Sequence, residues 1–365
     1  MTPCDKALLF NRKFPHNGLI RKRFVNFLPI LNAKPFKNTK FRFMRKQRFL
    51  LLSIVFLFAA CQKNGAPADD SRSVTVVSLN RSCAADDVLK AQLDADPGLQ
   101  LRMNQIEDFT KKVIARGELL RTTTTAMVVP VVVHVLYNKQ VENISDAQIQ
   151  SQIDVLNEDF NLNNKDAFGV PAIFSSLKSN VAIRFQLVKT VRKYTAVTSW
   201  PANDAMKYSE KGGSDVIDPA HKLNMWVCNL GSGLLGYAQF PGGNSKTDGI
   251  VCGYFCFGRT GNLERRFDRG RTATHEVGHW MNLRHIWGDV RCGNDMVGDT
   301  PQATTYNFGC PTFPKYNTCV KREVEMTMNY MDYTDDACMF MFTNGQADRM
   351  KAIFLNGGPR GAFFQ

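Results

Sequence analysis

Three of the chain's six histidines lie within eleven residues, in the sequence His-Glu-Val-Gly-His-Trp-Met-Asn-Leu-Arg-His. His275 and His279 are four residues apart, so on a helix they share one face and can bind one metal ion. His285 lies six residues beyond His279, too far to share that face, so we expect the chain to turn near Asn282. Three neutral imidazoles leave the fourth position of a zinc ion open for water, which is typical of a catalytic zinc site.

Glu276 follows the first of these histidines directly and could reach a water on the metal. A glutamate in that place is the usual general base of zinc hydrolases, so the pattern predicts metal-assisted hydrolysis. Two other interpretations compete with it. One is a surface helix with scattered histidines, and the other is a structural zinc site, which usually fills the fourth position with a protein ligand.

The motif resembles the long zinc signature of metzincin peptidases, His-Glu-x-x-His-x-x-Gly-x-x-His. Its continuation to Asp289, Leu-Arg-His-Ile-Trp-Gly-Asp, is similar to the pappalysin family, in particular to its bacterial cytophagalysin-like members. Asn282 stands where the family has glycine. We expect a left-handed backbone there, which asparagine tolerates best after glycine.

The resemblance covers roughly residues 128–350 and extends loosely into the preceding segment. It implies an α/β (α+β) fold of the metzincin type, with a mixed twisted sheet, an active-site helix and a loop-rich C-terminal subdomain. The activity it implies is that of a zinc-dependent metalloendopeptidase acting on proteins or peptides, with Glu276 as catalytic base and His275, His279 and His285 as zinc ligands.

The sequence Asn-Tyr-Met-Asp-Tyr, which ends at Tyr333, resembles the metzincin Met-turn. Met331 would then form the apolar floor beneath the metal, and the Tyr333 hydroxyl could approach the metal or the developing oxyanion. By the same resemblance, the loop of residues 335–337 would wall the S1′ pocket. Its two acids could favour a basic residue just after the scissile bond, or they could be solvated loop acids.

Asp295, Asp299 and Thr300 match a loop that binds calcium in some relatives. Hard oxygen ligands at irregular spacing suit calcium, so Ca²⁺ is a second candidate cofactor. A turn or helix-capping role explains the same residues nearly as well.

Ten cysteines in a chain with an export signal argue for disulfides. The four cysteines after the motif allow three pairings, and the family resemblance implies Cys292–Cys319 and Cys310–Cys338. Cys228, Cys252 and Cys256 stay unassigned. If the segment around Cys252 and Cys256 is extended, these two side chains would point to the same face.

Cys83 lies in the segment before the catalytic region. Related zymogens hold the zinc with a prosegment cysteine, whose thiolate takes the place of the water. We therefore expect Cys83 to be a latency switch, released by cleavage between Arg116 and Arg121. The alternative is an incidental or disulfide-bonded cysteine.

The net charge of +13 comes almost entirely from the N-terminus. Residues 1–48 contain thirteen Lys or Arg and one acid, which leaves 33 basic and 32 acidic residues beyond position 48. The folded part is therefore nearly neutral, which gives no reason to expect nucleic-acid binding.

Residues 44–61 have the form of a secretory signal, in which basic residues precede an apolar run too short to span a membrane comfortably. The run ends Phe-Ala-Ala-Cys, which resembles a bacterial lipobox with Cys61 as the lipidated residue; an ordinary signal with an incidental cysteine is the alternative. We expect translation to begin at Met44, which would make residues 1–43 an over-extended N-terminus.

Several elements must position the site. Residues 84–121 are predicted to be helical with a break at positions 97–98, and the apolar run 128–137 predicts a buried strand with His134 in the core or at an edge. Ser145 and Gln148 form a capping-box pattern that opens a helix. Further strands are predicted at 181–187, 223–230 and 250–257, and a final capped helix is predicted after Thr343.

Residues 233–241 lie in the region where metzincins have a strand that borders the cleft and pairs with an extended substrate. A glycine-rich hairpin loop explains their composition equally well. We divide the chain into a signal (44–61), a tether and propeptide (62–122) and a catalytic domain (123–365).

The protein is expected to be an exported monomeric zymogen. We expect a bacterial lipoprotein at the cell envelope or surface, touching the membrane only through its lipid anchor, or a secreted protein. The rival interpretation is an inactive peptidase fold that serves as a cell-surface binding lipoprotein, although such a protein has no need of Glu276.

Overall fold

The computed structural model describes residues 80–121 and 127–364. The expected over-extended N-terminus, the signal with Cys61, nearly all of the tether and the segment 122–126 therefore lie outside the described residues. A five-stranded sheet forms the centre of the catalytic part, with strand order β2-β1-β3-β5-β4. All neighbours are parallel except β4 and β5. The strands are β1 (Met127–Tyr137), β2 (Ile183–Tyr194), β3 (Leu223–Cys228), β4 (Gly236–Ala238) and β5 (Ile250–Gly253).

Strand β1 is the buried strand that its apolar run predicted. It pairs with β2 on one side and β3 on the other, so both edges are paired, and residues 131–136 are buried. His134 in this strand is fully buried, bonded to the Ser214 hydroxyl at 2.8 Å and the Asn224 amide oxygen at 2.9 Å, and stacked on Trp226. This confirms that His134 is a satisfied core residue.

Strand β2 is the outer strand on the far side of β1 and runs seven residues beyond the predicted end at Leu187. Its register against β1 shifts between Val131 and Val132. Such an irregularity moves the following side chains to the other face, and Val188 is 46% exposed. The strand then carries Lys and Arg residues, as edge strands commonly do.

Helix α3 (Asp146–Asp159) begins at the predicted position, where the Ser145 hydroxyl accepts a hydrogen bond from the Gln148 amide at 3.1 Å. The other hydrogen bond of the predicted capping box, between the Gln148 side chain and the Ser145 backbone amide, does not form. The Gln148 side chain instead donates to the carbonyls of Tyr254 and Phe257, because a long-range packing need outweighs the local one. The predicted apolar face of this helix is buried, through Ile149, Ile153, Leu156 and Phe160.

Helix α4 (Arg271–Trp280) carries the first two histidines of the zinc motif and is buried along its whole length. Helix α5 (Asn344–Ala352) lies near the C-terminal end of the described residues. The predicted capping box of α5 is complete, with Thr343 and Gln346 bonded reciprocally. Ala347, Met350 and Ile353 place this helix against the main core.

The expected prosegment forms two helices, α1 (Ala85–Ala95) and α2 (Leu99–Ala115), with the predicted break between them. Both belong to the same compact unit as the catalytic part. Val88 of α1 packs into a cluster with Trp226 and Tyr237 of the sheet. No helix in residues 80–121 or 127–364 combines the length and apolar character that crossing a membrane requires.

Two disulfides join the loops after the motif, Cys292–Cys319 and Cys310–Cys338, in the pairing that the resemblance implied. Cys228, Cys252 and Cys256 are free and buried. The segment that holds the last two is not extended throughout, so the condition under which they would point to the same face is not met. Strand β5 ends at Gly253, and Cys256 lies in the short 3-10 helix that follows.

Candidate metal centre

The three histidines converge because helix α4 ends just after the second one. His275 and His279 lie on one face of α4, and Asn282 then adopts φ 75°. This is the left-handed backbone expected at the family's glycine position. It reverses the chain, so that His285 returns to the other two, and the Nε2 atom of His279 lies 3.1 Å from those of both His275 and His285.

Contacts behind the rings fix which nitrogen faces the centre. His275 Nδ1 donates to the Tyr330 carbonyl at 2.7 Å, and His279 Nδ1 donates to the Leu283 carbonyl at 2.8 Å. His285 Nδ1 donates to the Asp289 carboxylate. Carbonyls and carboxylates only accept, so each neutral ring carries its proton on Nδ1 and turns a bare Nε2 lone pair inward.

Three inward lone pairs repel one another unless a cation lies between them, so the donor set itself fits a metal ion. Two imidazole ligands of a tetrahedral zinc ion are roughly 3.3–3.4 Å apart, close to the separations observed. Burial lowers the pKa of His275 well below its ordinary value, with the neighbouring imidazoles adding to the effect. Burial, reinforced by His285, also lowers the pKa of His279 to about 3, so both rings are in the neutral form that ligates a metal.

The segment Asn329–Tyr333 lies beneath the centre and ties two ligands together. The Tyr330 carbonyl orients His275, while the Met331 carbonyl accepts from the Ile286 amide, next to His285, at 3.2 Å. Met331 is fully buried. A Cβ on Gly278 would lie 2.5 Å from the Met331 sulfur, so only glycine on α4 lets the methionine approach this closely.

Asp159 of α3 connects this segment to the metal-binding helix. Its carboxylate is 2% exposed and accepts from the Tyr330 hydroxyl at 2.9 Å and the Thr274 hydroxyl at 2.8 Å. Arg271 lies 3.4 Å away and forms a bidentate pair with Asp166. This buried network fixes the rotation of α4 about its axis, and with it the direction of His275.

Glu276 lies on the cleft side of α4, against the sheet edge. Burial raises the pKa of its carboxyl to about 8. A Cβ on Gly236 of β4 would lie 2.9 Å from Glu276 Oε1 and 2.8 Å from the Val251 carbonyl. Glycine at the strand edge therefore leaves the room in which the glutamate meets whatever lies in the cleft.

The prosegment crosses the cleft at this point. It forms a parallel bridge between Cys83 and Gly236, with hydrogen bonds from the Leu235 amide to the Ser82 carbonyl and from the Ala84 amide to the Gly236 carbonyl, both at 3.1 Å. Residues 236–238 are thus the edge strand expected at the cleft rather than a hairpin loop.

Cys83 faces the histidines. Its sulfur and one nitrogen from each of His275, His279 and His285 all lie within 4.8 Å of one another. The thiol also donates to Glu276 at 3.4 Å, and the Tyr333 hydroxyl donates to the Cys83 carbonyl at 3.1 Å. One prosegment residue therefore contacts the ligand set, the candidate base and the candidate oxyanion donor.

Arg81, two residues before Cys83, fills an adjacent pocket and is 2% exposed. Its guanidinium donates to the Asp336 carboxylate, to the Thr334 carbonyl at 2.9 Å and to the Thr272 hydroxyl at 3.2 Å. It also lies 5.1 Å from the centre of the Phe267 ring. The pocket is thus built to hold a guanidinium.

Asp336 has a second set of contacts. Its other oxygen accepts from the backbone amides of Arg269 and Arg271, at 2.9 and 3.2 Å, just before and at the start of α4. A carboxylate at a helix N-terminus is favourable because it satisfies unpaired amides and faces the positive end of the helix dipole. Asp335, by contrast, pairs with Arg266 at 2.7 Å.

The residues of the candidate calcium loop do not share one ligand-like arrangement. Asp295 accepts from the Thr300 hydroxyl at 2.9 and 3.0 Å and from the Val297 amide at 3.1 Å. Asp299 accepts from Thr343 and Gly345 at the start of α5. These are turn and helix-capping contacts, and calcium binding by this loop stays a prediction.

Several residues of the site were not found from the sequence. Arg81 lies 191 residues before Thr272, which is close to Phe267 in the chain, and no local pattern connects Arg81 with these two residues. Asp289 could have been found, because it lies four residues after His285 at the end of the motif's continuation. Asp159 carried no signal beyond its place in a predicted helix.

Comparisons with known proteins agree with this geometry. Residues 208–355 match the model of the peptidase family M43, described as pregnancy-associated plasma protein-A. An extracellular metalloprotease of Arthroderma benhamiae is 34% identical over 237 residues, which are 62% of this chain and 77% of that protein. An extracellular metalloprotease of Arthroderma otae is 32% identical over 255 residues, 67% of this chain and 84% of that protein.

Two solved structures from Tannerella forsythia are also similar. Mature mirolysin in complex with a cleaved peptide is 46% identical and covers 66% of this chain and 96% of its own, with a TM-score of 0.63. A promirolysin point mutant is 41% identical and covers 78% of this chain and 97% of its own, with a TM-score of 0.69. The larger share covered by the precursor indicates that the likeness extends into the prosegment.

The contact between Asp289 and His285 generates a testable prediction. Asp289→Ala removes the acceptor that keeps the His285 proton on Nδ1, so we expect zinc affinity to fall about 10–100-fold. Competition with a chelating dye would measure this. Asp218→Ala is the matched control, because Asp218 forms a similar pair with the exposed His221 at 2.8 Å. Equal zinc affinity of the two variants would contradict the assignment.

Proposed function

This chain belongs to the pappalysin family of metalloendopeptidases, and we propose that its three-histidine centre binds zinc and hydrolyses proteins outside the cytoplasm after release from a latent precursor. The observation that carries the proposal is the convergence of three Nε2 lone pairs beside a glutamate, at a strand edge that already pairs with an extended segment.

His275, His279 and His285 would hold the ion. Zinc in such a site polarises the scissile carbonyl and lowers the pKa of the attacking water. Glu276 would take the proton from that water and pass it to the leaving amine. The Tyr333 hydroxyl, which donates to the Cys83 carbonyl in the precursor, would donate to the developing oxyanion instead.

Backbone pairing with β4 would position the substrate. The Leu235 amide, just before β4, and the Gly236 carbonyl, at its start, bond the prosegment in the precursor. Pairing through the main chain tolerates many sequences, which suits a protease acting on proteins.

Latency is proposed to come from Cys83. In the precursor its sulfur would complete the ligand set as a thiolate and exclude the attacking water. Cleavage between Arg116 and Arg121 would separate the prosegment from the catalytic part. The precursor form of the similar mirolysin supports this proposal.

The pocket around Arg81 is proposed to be S1′, and the enzyme to prefer a basic residue just after the scissile bond. Because Arg81 precedes Cys83 while a P1′ residue follows the scissile bond, a substrate would cross the cleft in the direction opposite to the prosegment. The prosegment would then present no peptide bond in the orientation for hydrolysis.

Export is proposed on the signal-like segment 44–61 and on the extracellular relatives. Lipidation at Cys61 and calcium binding at Asp295 and Asp299 remain proposals from the sequence. The rival function, an inactive binding lipoprotein, would retain zinc but show no hydrolysis, so one experiment separates the two.

Hydrolysis by the activated enzyme tests the main proposal. We expect casein cleavage that stops when zinc is chelated and returns when zinc is restored. Glu276→Ala removes the base and should lower kcat by about 10²–10⁴-fold with zinc content unchanged. Glu158→Gln, which alters a surface pair with Arg259, is the control and should keep full activity. A zinc-loaded activated protein without chelator-sensitive hydrolysis would favour the binding lipoprotein.

Latency is tested in the uncut precursor. Cys83→Ala frees the fourth position, so we expect measurable hydrolysis of a short peptide and faster self-processing than in the parent. Ser82→Ala changes the exposed neighbour and should leave the precursor latent. A Cys83→Ala precursor that is as inactive as the parent would show that the thiol is not the switch.

Pocket selectivity is tested with peptides that carry Arg or Ala after the scissile bond. Asp336→Asn removes the charge that faces the guanidinium, so kcat/KM for the Arg peptide should fall about 10–100-fold while the Ala peptide changes little. Asp335→Asn should leave the ratio intact, because its partner is Arg266. Equal losses for both peptides would mean that Asp336 acts only on helix α4.

A further inference from the structure

The prosegment contacts the catalytic part at a second place, through helices α2 and α5. Glu107 of α2 pairs with Arg349 of α5, with oxygen–nitrogen distances of 2.8 and 3.1 Å. Neither residue touches the histidines or Cys83. This contact therefore stabilises prosegment binding without the metal.

Arg349 depends on that carboxylate. Its side chain is 4% exposed, and its other acceptors are the carbonyls of Asn282 and Met296 at 3.3–3.4 Å. Among residues 80–121 and 127–364, Glu107 provides the only ion pair to Arg349. A buried guanidinium without a carboxylate is costly, so this face of α5 favours an acidic partner.

Apolar contacts surround the ion pair. Val113 of α2 and Leu119 beyond it pack with Ala352 of α5, and Phe109 and Leu355 lie at the rim of this cluster. An amphipathic helix with one acidic residue among apolar ones is the shape of partner that fits here.

Arg102 extends the same contact. It donates to the Gly242 carbonyl at 2.8 Å, in the segment that follows β4. The interface of α2 therefore reaches from α5 to the end of the cleft-bordering segment.

The activating cut would leave the ion pair of Glu107 and the contacts of Phe109 and Val113 with the prosegment, whereas Leu119 lies inside the expected cleavage region. Helix α2 ends at Ala115, and the expected cleavage region begins at Arg116. Arg81, Cys83, Arg102, Glu107 and Val113 all lie on the prosegment side of such a cut.

We propose that the surface formed by Arg349 and Ala352 of α5, with Leu355 just beyond the helix, binds the excised prosegment, which stays attached as a noncovalent inhibitor after the activating cut. The proposal rests on the proposed zymogen function. Activation would then have two steps, cleavage and dissociation, and the second would depend on Glu107. A catalytic domain that has lost its prosegment would also bind the free segment again.

The experiment uses the full precursor with Glu276→Ala, so that it reads association and not hydrolysis. A recognition sequence for a specific protease replaces residues 122–126, and the nicked protein is analysed by gel filtration and by the dissociation rate of a labelled prosegment. We expect the nicked parent to co-elute as one complex. Glu107→Gln should raise the dissociation rate about 10–100-fold, because it leaves Arg349 buried without a carboxylate.

Two variants separate this surface from the metal contact. Asp108→Asn removes the neighbouring, exposed carboxylate of α2 and should leave the rate unchanged. Cys83→Ala should speed dissociation but still give a complex, and Glu107→Gln should have the same relative effect in that background. Immediate loss of the segment on nicking, its complete loss in Cys83→Ala, or equal rates for Glu107→Gln and Asp108→Asn would each overturn the proposal. A failure of the proposed hydrolysis would leave these outcomes unaffected.

Discussion

Three bare imidazole nitrogens have to point at one place, and most of the surrounding structure serves that requirement. Each ring is held from behind by one acceptor, and these acceptors come from different parts of the chain. Leu283 and Asp289 lie close to the histidines in sequence, whereas Tyr330 belongs to a segment some fifty residues later. Asp159 then links that segment back to helix α4. A substitution that displaces one of these acceptors would let the imidazole it holds rotate, so that its Nε2 atom no longer points at the common centre.

The cleft is tied to the same helix. Asp336 satisfies amides at the start of α4 with one oxygen and holds a guanidinium with the other. Gly236 leaves the space in which Glu276 meets a bound segment. Helix α4, the pocket around Arg81 and the edge of β4 are therefore coupled through direct contacts. A ligand that loads the pocket acts on the carboxylate that also caps the helix bearing His275 and Glu276.

The parts of this arrangement that sequence could predict are those that depend on local spacing. The helical pair of histidines, the turn at Asn282, the buried strand β1 and the capped helix α5 all follow from patterns a few residues long. The reciprocal cap at Gln148 failed because that side chain bonds carbonyls more than a hundred residues away. The predicted ends of β2 and β5 were wrong, because neither the register shift in β2 nor the 3-10 helix after β5 has a clear signature in the sequence. Arg81 and Glu107 have partners about 250 residues away, which no spacing rule reaches.

The direction in which the prosegment crosses the cleft also bears on ligand design. A peptide containing Arg-Ser-Cys, laid parallel to β4 as residues 81–83 are, would bring a guanidinium to Asp336 and a thiol to the metal ligands at once. Its backbone would run against the polarity proposed for a substrate, so its own bonds would not be aligned for attack. The precursor thus contains a tripeptide template for a reversed-polarity inhibitor, to which rigid or non-natural residues could be added outward from the sulfur.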